Sequence, residues 1–207
     1  MITAVRPLHM LDALRPTIES IRLAEFAQSD PRDRILEIGC GNGYIALVLA
    51  CRFPQSQQVV GIDLQPHRIM AAKNAARQLH KHHIPMAPVR FFEGDARSTG
   101  FSHTGFDVIA CNPPFFASGS GRPSPHPERR FARQDDTLSL TDLFSCAARR
   151  LNQGGRLYFV FPNNRVEEIL ATHAKRGFTI ESNSHLPNIR KRSGGVNLIS
   201  SRFVGHP

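Results

Sequence analysis

Over most of this chain, short apolar runs ending on glycine or an acid alternate with longer segments whose apolar residues recur every three or four positions. That alternation restricts the fold more than any other feature. The runs are Arg34-Ile-Leu-Glu-Ile38, Gln58–Asp63, Val89–Glu93, Phe106–Cys111 and Arg156–Phe161. Each is bounded by glycine, proline or a charged turn, which predicts buried strands. Helices are predicted around them. Residues 17–27 place Ile18, Ile21 and Leu23-Ala24 at roughly helical spacing, and residues 44–53 put Tyr44, Leu47, Val48 and Cys51 on one face. Pro66 suits the first helical position of a segment carrying Ile69, Ala72, Ala76 and Leu79. Residues 139–151 form the clearest stripe, Leu140, Leu143, Phe144, Ala147, Ala148 and Leu151. Ser139 with Asp142 resembles a capping box there, and Gly154-Gly155 is expected to end the element. Residues 164–176 turn Val166, Ile169, Leu170 and Ala174 inward.

Strands separated by helices argue a parallel sheet covered on both faces. The last two runs, Phe178–Ser184 and Val196–Phe203, have only a turn-rich loop between them, so they should pair antiparallel. The predicted architecture is α/β, a doubly wound Rossmann-like sheet, mostly parallel with an antiparallel C-terminal strand. Its 207 residues, 41% of them hydrophobic, suffice for one domain, with residues 1–30 a helical segment and 31–207 the core. Ligands of such sheets bind at the carboxyl ends of the strands, near the point where strand order reverses.

Lysine and arginine total 26 against 17 acidic residues, a formal net charge of +9. Such an excess attracts polyanions, nucleic acid foremost. No apolar run approaches the length of a membrane span, and Met1–Pro16 carries Arg6, Asp12 and Arg15, so it does not resemble a secretory signal. The four cysteines are far apart and form no Cys-x-x-Cys pair, as expected of free thiols in a reducing cytoplasm. Neither a membrane nor a metal is an expected partner.

Three motifs carry chemistry. Glu37-Ile-Gly-Cys-Gly-Asn-Gly43 joins the first strand to the helix after it. Gly39, Gly41 and Gly43 permit a sharp turn and a close approach of backbone to ligand. Dinucleotide enzymes also have such turns, but Gly-x-Gly-x-x-Gly would need glycine where Tyr44 stands. Glu37 would repel a pyrophosphate and suits a sulfonium or an ammonium group. Asp63 ends the second strand, followed by Leu64; its carboxylate can accept two hydrogen bonds from a ribose diol or, alternatively, cap the next helix. Gly94-Asp95-Ala96 ends the third strand and, in order with the others, offers Asp95 to an adenine amino group.

The third motif, Asn112-Pro-Pro-Phe115, follows the fourth strand directly. Pro113 and Pro114 stiffen the turn and lack N–H donors, so carbonyls there stay free to accept. The asparagine oxygen and one such carbonyl can together accept both hydrogens of an –NH2 group. Phe115 offers a stacking face for the ring that bears the amine.

In this order and spacing, Glu37-x-Gly-x-Gly-x-Gly43, Asp63, Asp95 and Asn112-Pro-Pro-Phe115 resemble the class I S-adenosylmethionine-dependent methyltransferases that methylate amino nitrogens. The segment 112–133, followed by Leu138–Leu151 and Gly154-Gly-Arg-Leu157, is similar to bacterial adenine-N6 methyltransferases that modify valine tRNA beside the anticodon. The likeness covers roughly residues 17–203. It implies a seven-stranded methyltransferase sheet and S-adenosylmethionine held by Glu37, Gly39, Gly41, Gly43, Asp63, Leu64, Asp95, Ala96 and Asn112. It also implies amine alignment by Asn112, Pro113, Pro114 and Phe115, and RNA, specifically tRNA, as substrate. Where those enzymes begin a helix with Gly-Thr-Asp, this chain has Pro16-Thr-Ile-Glu19. Protein-glutamine methyltransferases share the Asn-Pro-Pro turn, as do enzymes acting on guanine or on DNA adenine, and a non-catalytic cofactor-binding module is a further alternative.

Two charged clusters remain. His80, Lys81, His82 and His83 fall where a helix should end, and cations there favour the helix dipole rather than a metal. Arg122, Arg129, Arg130 and Arg133, with His126, lie in a Gly-, Ser- and Pro-rich stretch and are candidate phosphate contacts, or else a solvated charge run.

Overall fold

The structure is a computed structural model, and it describes residues 11, 14–98, 103–113, 138–186 and 195–205. Helix α1 (Ile18–Phe26) leads into β1 (Arg34–Ile38), α2 (Tyr44–Arg52), β2 (Gln58–Asp63), α3 (Pro66–Lys81), β3 (Val89–Glu93) and β4 (Phe106–Cys111). Then come α4 (Leu140–Arg150), β5 (Leu151–Pro162), α5 (Val166–His173), β6 (Phe178–Leu186) and β7 (Val196–Phe203). The seven strands form one sheet in the order β3-β2-β1-β4-β5-β7-β6. Pairing from β3 through β5 is parallel. Strand β7 alone runs against both neighbours, β5 and β6, as expected where no crossover helix separates β6 from β7.

Alternation along each strand divides the core. Ile35, Val59, Val108 and Ala110 face one side with α1, α2 and α3. Leu36, Val60, Ile109, Leu157 and Phe159 face the other, with α4 and Ile169 of α5. Helix α2 is not amphipathic as the sequence pattern suggests: Ile45 through Ala50 are all buried. It lies against β1, β2 and β3 as well as α1, so it is covered all round. Of the helically spaced apolar residues of α1, Ile18 is 54% exposed, while Leu23 and Ala24 supply the buried face.

Helix α4 begins with the expected capping box. The Ser139 hydroxyl accepts from the Asp142 N–H, and the Asp142 carboxylate accepts from the Ser139 N–H. Its end departs from expectation. The helix closes at Leu151, whose N–H still donates to the Ala147 carbonyl while its backbone is already extended. Strand β5 starts there, so Gly154 (φ +80°) and Gly155 lie inside β5 at the irregular pairing with β4 rather than at a helix terminus.

Candidate active site

Register brings the motif residues together. Ile38 is level with Ile62 on one side and Cys111 on the other, and Asp63 is level with Glu93. One step further along the strands, Gly39, Asp63 and Asn112 therefore share a row across β2, β1 and β4, and Gly94-Asp95 follow beside them on β3. With strands about 4.8 Å apart, the row from β3 to β4 spans about 14 Å. The chain winds outward from β1 through β2 to β3, then returns to β4 on the other side. The row thus crosses the switch point between β1 and β4, where an open parallel sheet leaves a crevice.

Two of the three glycines do different work. Gly43 (φ +85°) is buried, and a Cβ there would lie 2.8 Å from the Ala72 Cβ and 2.9 Å from the Phe91 ring. Its lack of a side chain thus serves packing of α2 against α3 and β3. Gly39 (φ +68°) is exposed, with nothing within 4 Å of where a Cβ would stand. Space for a ligand therefore opens at Gly39.

Glu37 points to the same side of β1 as Ile35, where α2 begins. Its Oε2 accepts from the Ala46 N–H at 2.7 Å. That bond satisfies a first-turn donor of a helix whose N-cap, Gly43, has no side chain to offer. Glu37 is 2% exposed, and burial pushes its pKa well above the ordinary carboxylate value. The Ala46 N–H opposes this shift, and the nearby Asp63 charge adds to it. The folded protein thus holds this proton more tightly than the unfolded chain, so stability should fall as pH rises from the ordinary carboxylate range toward the raised pKa. Glu37→Gln keeps an acceptor for Ala46 and removes the buried charge. In thermal melts without cofactor, the variant should gain on the wild type as pH is raised above the ordinary carboxylate range. Parallel melting curves above that range would show that Glu37 does not titrate there.

Asp63 is 8% exposed and ties the row together. Its Oδ2 accepts from the Gly41 N–H at 2.8 Å and its Oδ1 from the Gln65 N–H at 2.9 Å. The ribose-binding and helix-entry readings are therefore not exclusive, because each oxygen keeps a further lone pair. Leu64 beside it is 47% exposed, an apolar side chain open to solvent at the rim of the crevice. Asp95 is more committed. Arg97 donates to both its oxygens through Nε and Nη2 and adds its backbone N–H, all at 2.8–3.0 Å. These bonds hold the Asp95 pKa below its usual value and occupy most of its acceptor capacity. Ala96 is buried behind it. No spacing pattern in the sequence announces this arginine clamp.

Asn112 is half-buried at the end of β4, and Pro113 after it is buried. The Asn112 Nδ2 donates to Ser20 Oγ at 2.9 Å, a contact across 92 positions that no sequence pattern announces. Pro114, Phe115, Arg122, Arg129, Arg130 and Arg133, and the His126 near them, lie outside the described residues.

The sequence pattern of the methyltransferase small domain matches residues 19–184. The chain belongs to this family. It is 35% identical over 162 residues to the tRNA1(Val) (adenine(37)-N6)-methyltransferase of Porphyromonas gingivalis, covering 76% of this chain and 62% of that protein. It is 30% identical over 191 residues to the protein of the same name from Tolumonas auensis, covering 90% of this chain and 75% of the relative. The chain thus spans somewhat under two thirds of the Porphyromonas protein's length. Among solved structures, TrmN from Thermus thermophilus matches with a TM-score of 0.64 at 22% identity, over 89% of this chain and 48% of that one. A TehB-like SAM-dependent methyltransferase from Corynebacterium glutamicum matches with a TM-score of 0.59 at 20% identity, over 95% and 94%. At such identities the structural likeness speaks for the methyltransferase fold.

The sheet edge beside this row is basic. From Leu64 to Phe92 the chain contains no aspartate or glutamate. Lys73 and Arg77 of α3 and Arg90 of the edge strand β3, all exposed, rim a cleft of about 410 Å³ floored by Val89, Phe91 and Phe92. The His80–His83 group continues this face, with α3 ending at Lys81 and His82 as its C-cap. No described helix is long and apolar enough to cross a membrane.

Proposed function

We propose that this chain transfers a methyl group from S-adenosylmethionine to the exocyclic N6 of an adenine in tRNA. The observation that carries the reading is the shared row of Gly39, Asp63 and Asn112 across the switch point of the sheet. The relatives from Porphyromonas and Tolumonas, both named for adenine N6 of tRNA1(Val), support the substrate class.

The residues present fit the cofactor. The open space at Gly39 and the lone pairs left on Asp63 suit a ligand laid along the strand ends. Asp63 would take the ribose diol, Leu64 would cover one face of the adenine ring, and Gly41 and Gly43 would shape the turn beneath. The unused Oε1 of Glu37 would favour the cationic end, and Asn112 would border the methyl group. An adenine amino contact at Asp95-Ala96 requires Arg97 to release one carboxylate oxygen. When bound, S-adenosylmethionine supplies an electrophilic methyl on sulfur.

The protein's task is alignment. An adenine amino group is a poor nucleophile because its lone pair is delocalised into the ring, so holding it in line accounts for most of the rate. Asn112 Oδ1 and the Pro113 carbonyl accept its two hydrogens, with Pro114 stiffening the turn and Phe115 stacking on the ring. No strong general base is needed, since the proton can leave after the methyl arrives. The target base must unstack to reach this turn, which costs less in a loop than in a duplex.

Phosphates of the same RNA are proposed to contact Arg122, Arg129, Arg130 and Arg133 and to extend over the Lys73–Arg77–Arg90 cleft. Each phosphate contact contributes about 0.7 to 0.9 to the log–log salt slope of binding. Replacing Lys73, Arg77 and Arg90 together with serine should weaken tRNA binding and flatten that slope by about two units. Affinity for S-adenosylmethionine should stay at the wild-type value. A salt series with identical slopes for the two proteins would remove this face from the RNA path, and a flat wild-type response would favour a protein-glutamine substrate.

A further inference from the structure

Helix α1 is held firmly against the core. Leu23, Ala24 and Ala27 are buried, and Phe26 meets Tyr158 edge to face at 5.8 Å. Arg52, at the end of α2, donates to the carbonyls of Ala24 and Ala27. So anchored, the first turn of α1 lies beside the end of β4. Thr17 caps that turn by accepting from the Ser20 N–H, and the Thr17 and Ser20 hydroxyls are 3.2 Å apart. The Ser20 Oγ in turn accepts from Asn112 Nδ2 at 2.9 Å.

A carboxamide presents a donor on one side and an acceptor on the other. If Asn112 turned its –NH2 toward the incoming base, two donors would oppose each other and the target amine would be repelled. From the Nδ2–Oγ contact we infer that Ser20 is a positioning residue: it holds the Asn112 amide so that Oδ1, the acceptor, faces the amine to be methylated. This inference rests on the amino-methylation reading of Asn112 and assigns α1 a part in the reaction. Ser20 touches neither substrate nor cofactor; it acts through Asn112. A Ser20 hydroxyl that donates its one proton to Thr17 Oγ1 keeps only acceptor capacity for Asn112.

The test is a double-mutant cycle read as single-turnover methyl transfer to tRNA at saturating substrate. Ser20→Ala removes one hydrogen bond and should lower the transfer rate about tenfold. Affinities for tRNA and S-adenosylmethionine should stay at wild-type values. Alanine is the better helix former, so loss of α1 does not account for a slower step. In an Asn112→Ala background the same Ser20→Ala change should alter the rate less than about twofold, because the group it positions is gone. An equal loss in both backgrounds, or no loss in either, overturns the positioning role while leaving the proposed function standing. Wild-type protein that transfers no methyl group to tRNA overturns the function, and the role of Ser20 with it.

Discussion

Asn112→Ala should lower turnover at least ~100-fold while leaving affinity for S-adenosylmethionine close to the wild-type value. Among the described residues, the Asn112 carboxamide stands at the end of β4, level with the glycine turn of β1. Removing it takes away an acceptor needed only when the amine is aligned, so the loss belongs in the chemical step rather than in ground-state binding. The backbone of β4 should survive, since Cys111 and the residues before it pair with β1 and β5 independently of this side chain. Single-turnover kinetics at saturating cofactor and RNA read the step directly. A variant that methylates at close to the parent rate would show that Asn112 does not align the amine.

The second large effect is expected at Asp63. Asp63→Ala should weaken S-adenosylmethionine binding 10- to 100-fold, on the order of 1.5–3 kcal/mol for lost charge-assisted hydrogen bonds. Two causes add here. The carboxylate is the proposed ribose acceptor, and it also holds the Gly41 and Gln65 N–H groups, hence the shape of the turn beneath the cofactor. Thermal stability without cofactor should therefore fall as well, because two backbone donors lose their partner. Calorimetric titration of a folded variant measures the first effect and a thermal melt the second. Unchanged affinity in a folded Asp63→Ala protein would remove Asp63 from the ribose, and a wild type that binds NAD in preference to S-adenosylmethionine would remove the cofactor assignment.

Much of the scaffold is legible in the chain because its signals are local. The ends of β2, β3, β4 and β7 fall where apolar runs meet glycine, an acid or proline, and Ser139 with Asp142 marks the start of α4 before any contact is known. The order of motifs then lets the sheet's topology bring Gly39, Asp63 and Asn112 onto one row. What escapes sequence reading is set by partners that no spacing rule names. Gly154 resembles a helix stop, yet Leu151 leaves α4 directly into β5 because β4 offers it a pairing partner. Gly43 resembles a ligand-contact glycine, but Ala72 and Phe91 are what exclude a side chain there. Glu37 carries charge toward the site in the sequence, whereas in the fold much of its role is to satisfy the first turn of α2. Arg97 on Asp95 and Ser20 on Asn112 have no periodic signature, and each changes what its carboxylate or amide can do.

The activity proposed for the row at the strand ends is methylation of an adenine amino group in RNA. It is tested most directly by incubating the purified chain with S-adenosylmethionine carrying an isotopically labelled methyl group and unmodified tRNA, then digesting the RNA and identifying the labelled nucleoside by mass spectrometry. Label should appear in N6-methyladenosine, and only a trace of it when Asn112 is alanine within the time the wild type needs for one turnover. Label in a different nucleoside, or in a glutamine side chain of added protein with none in the RNA, would contradict it.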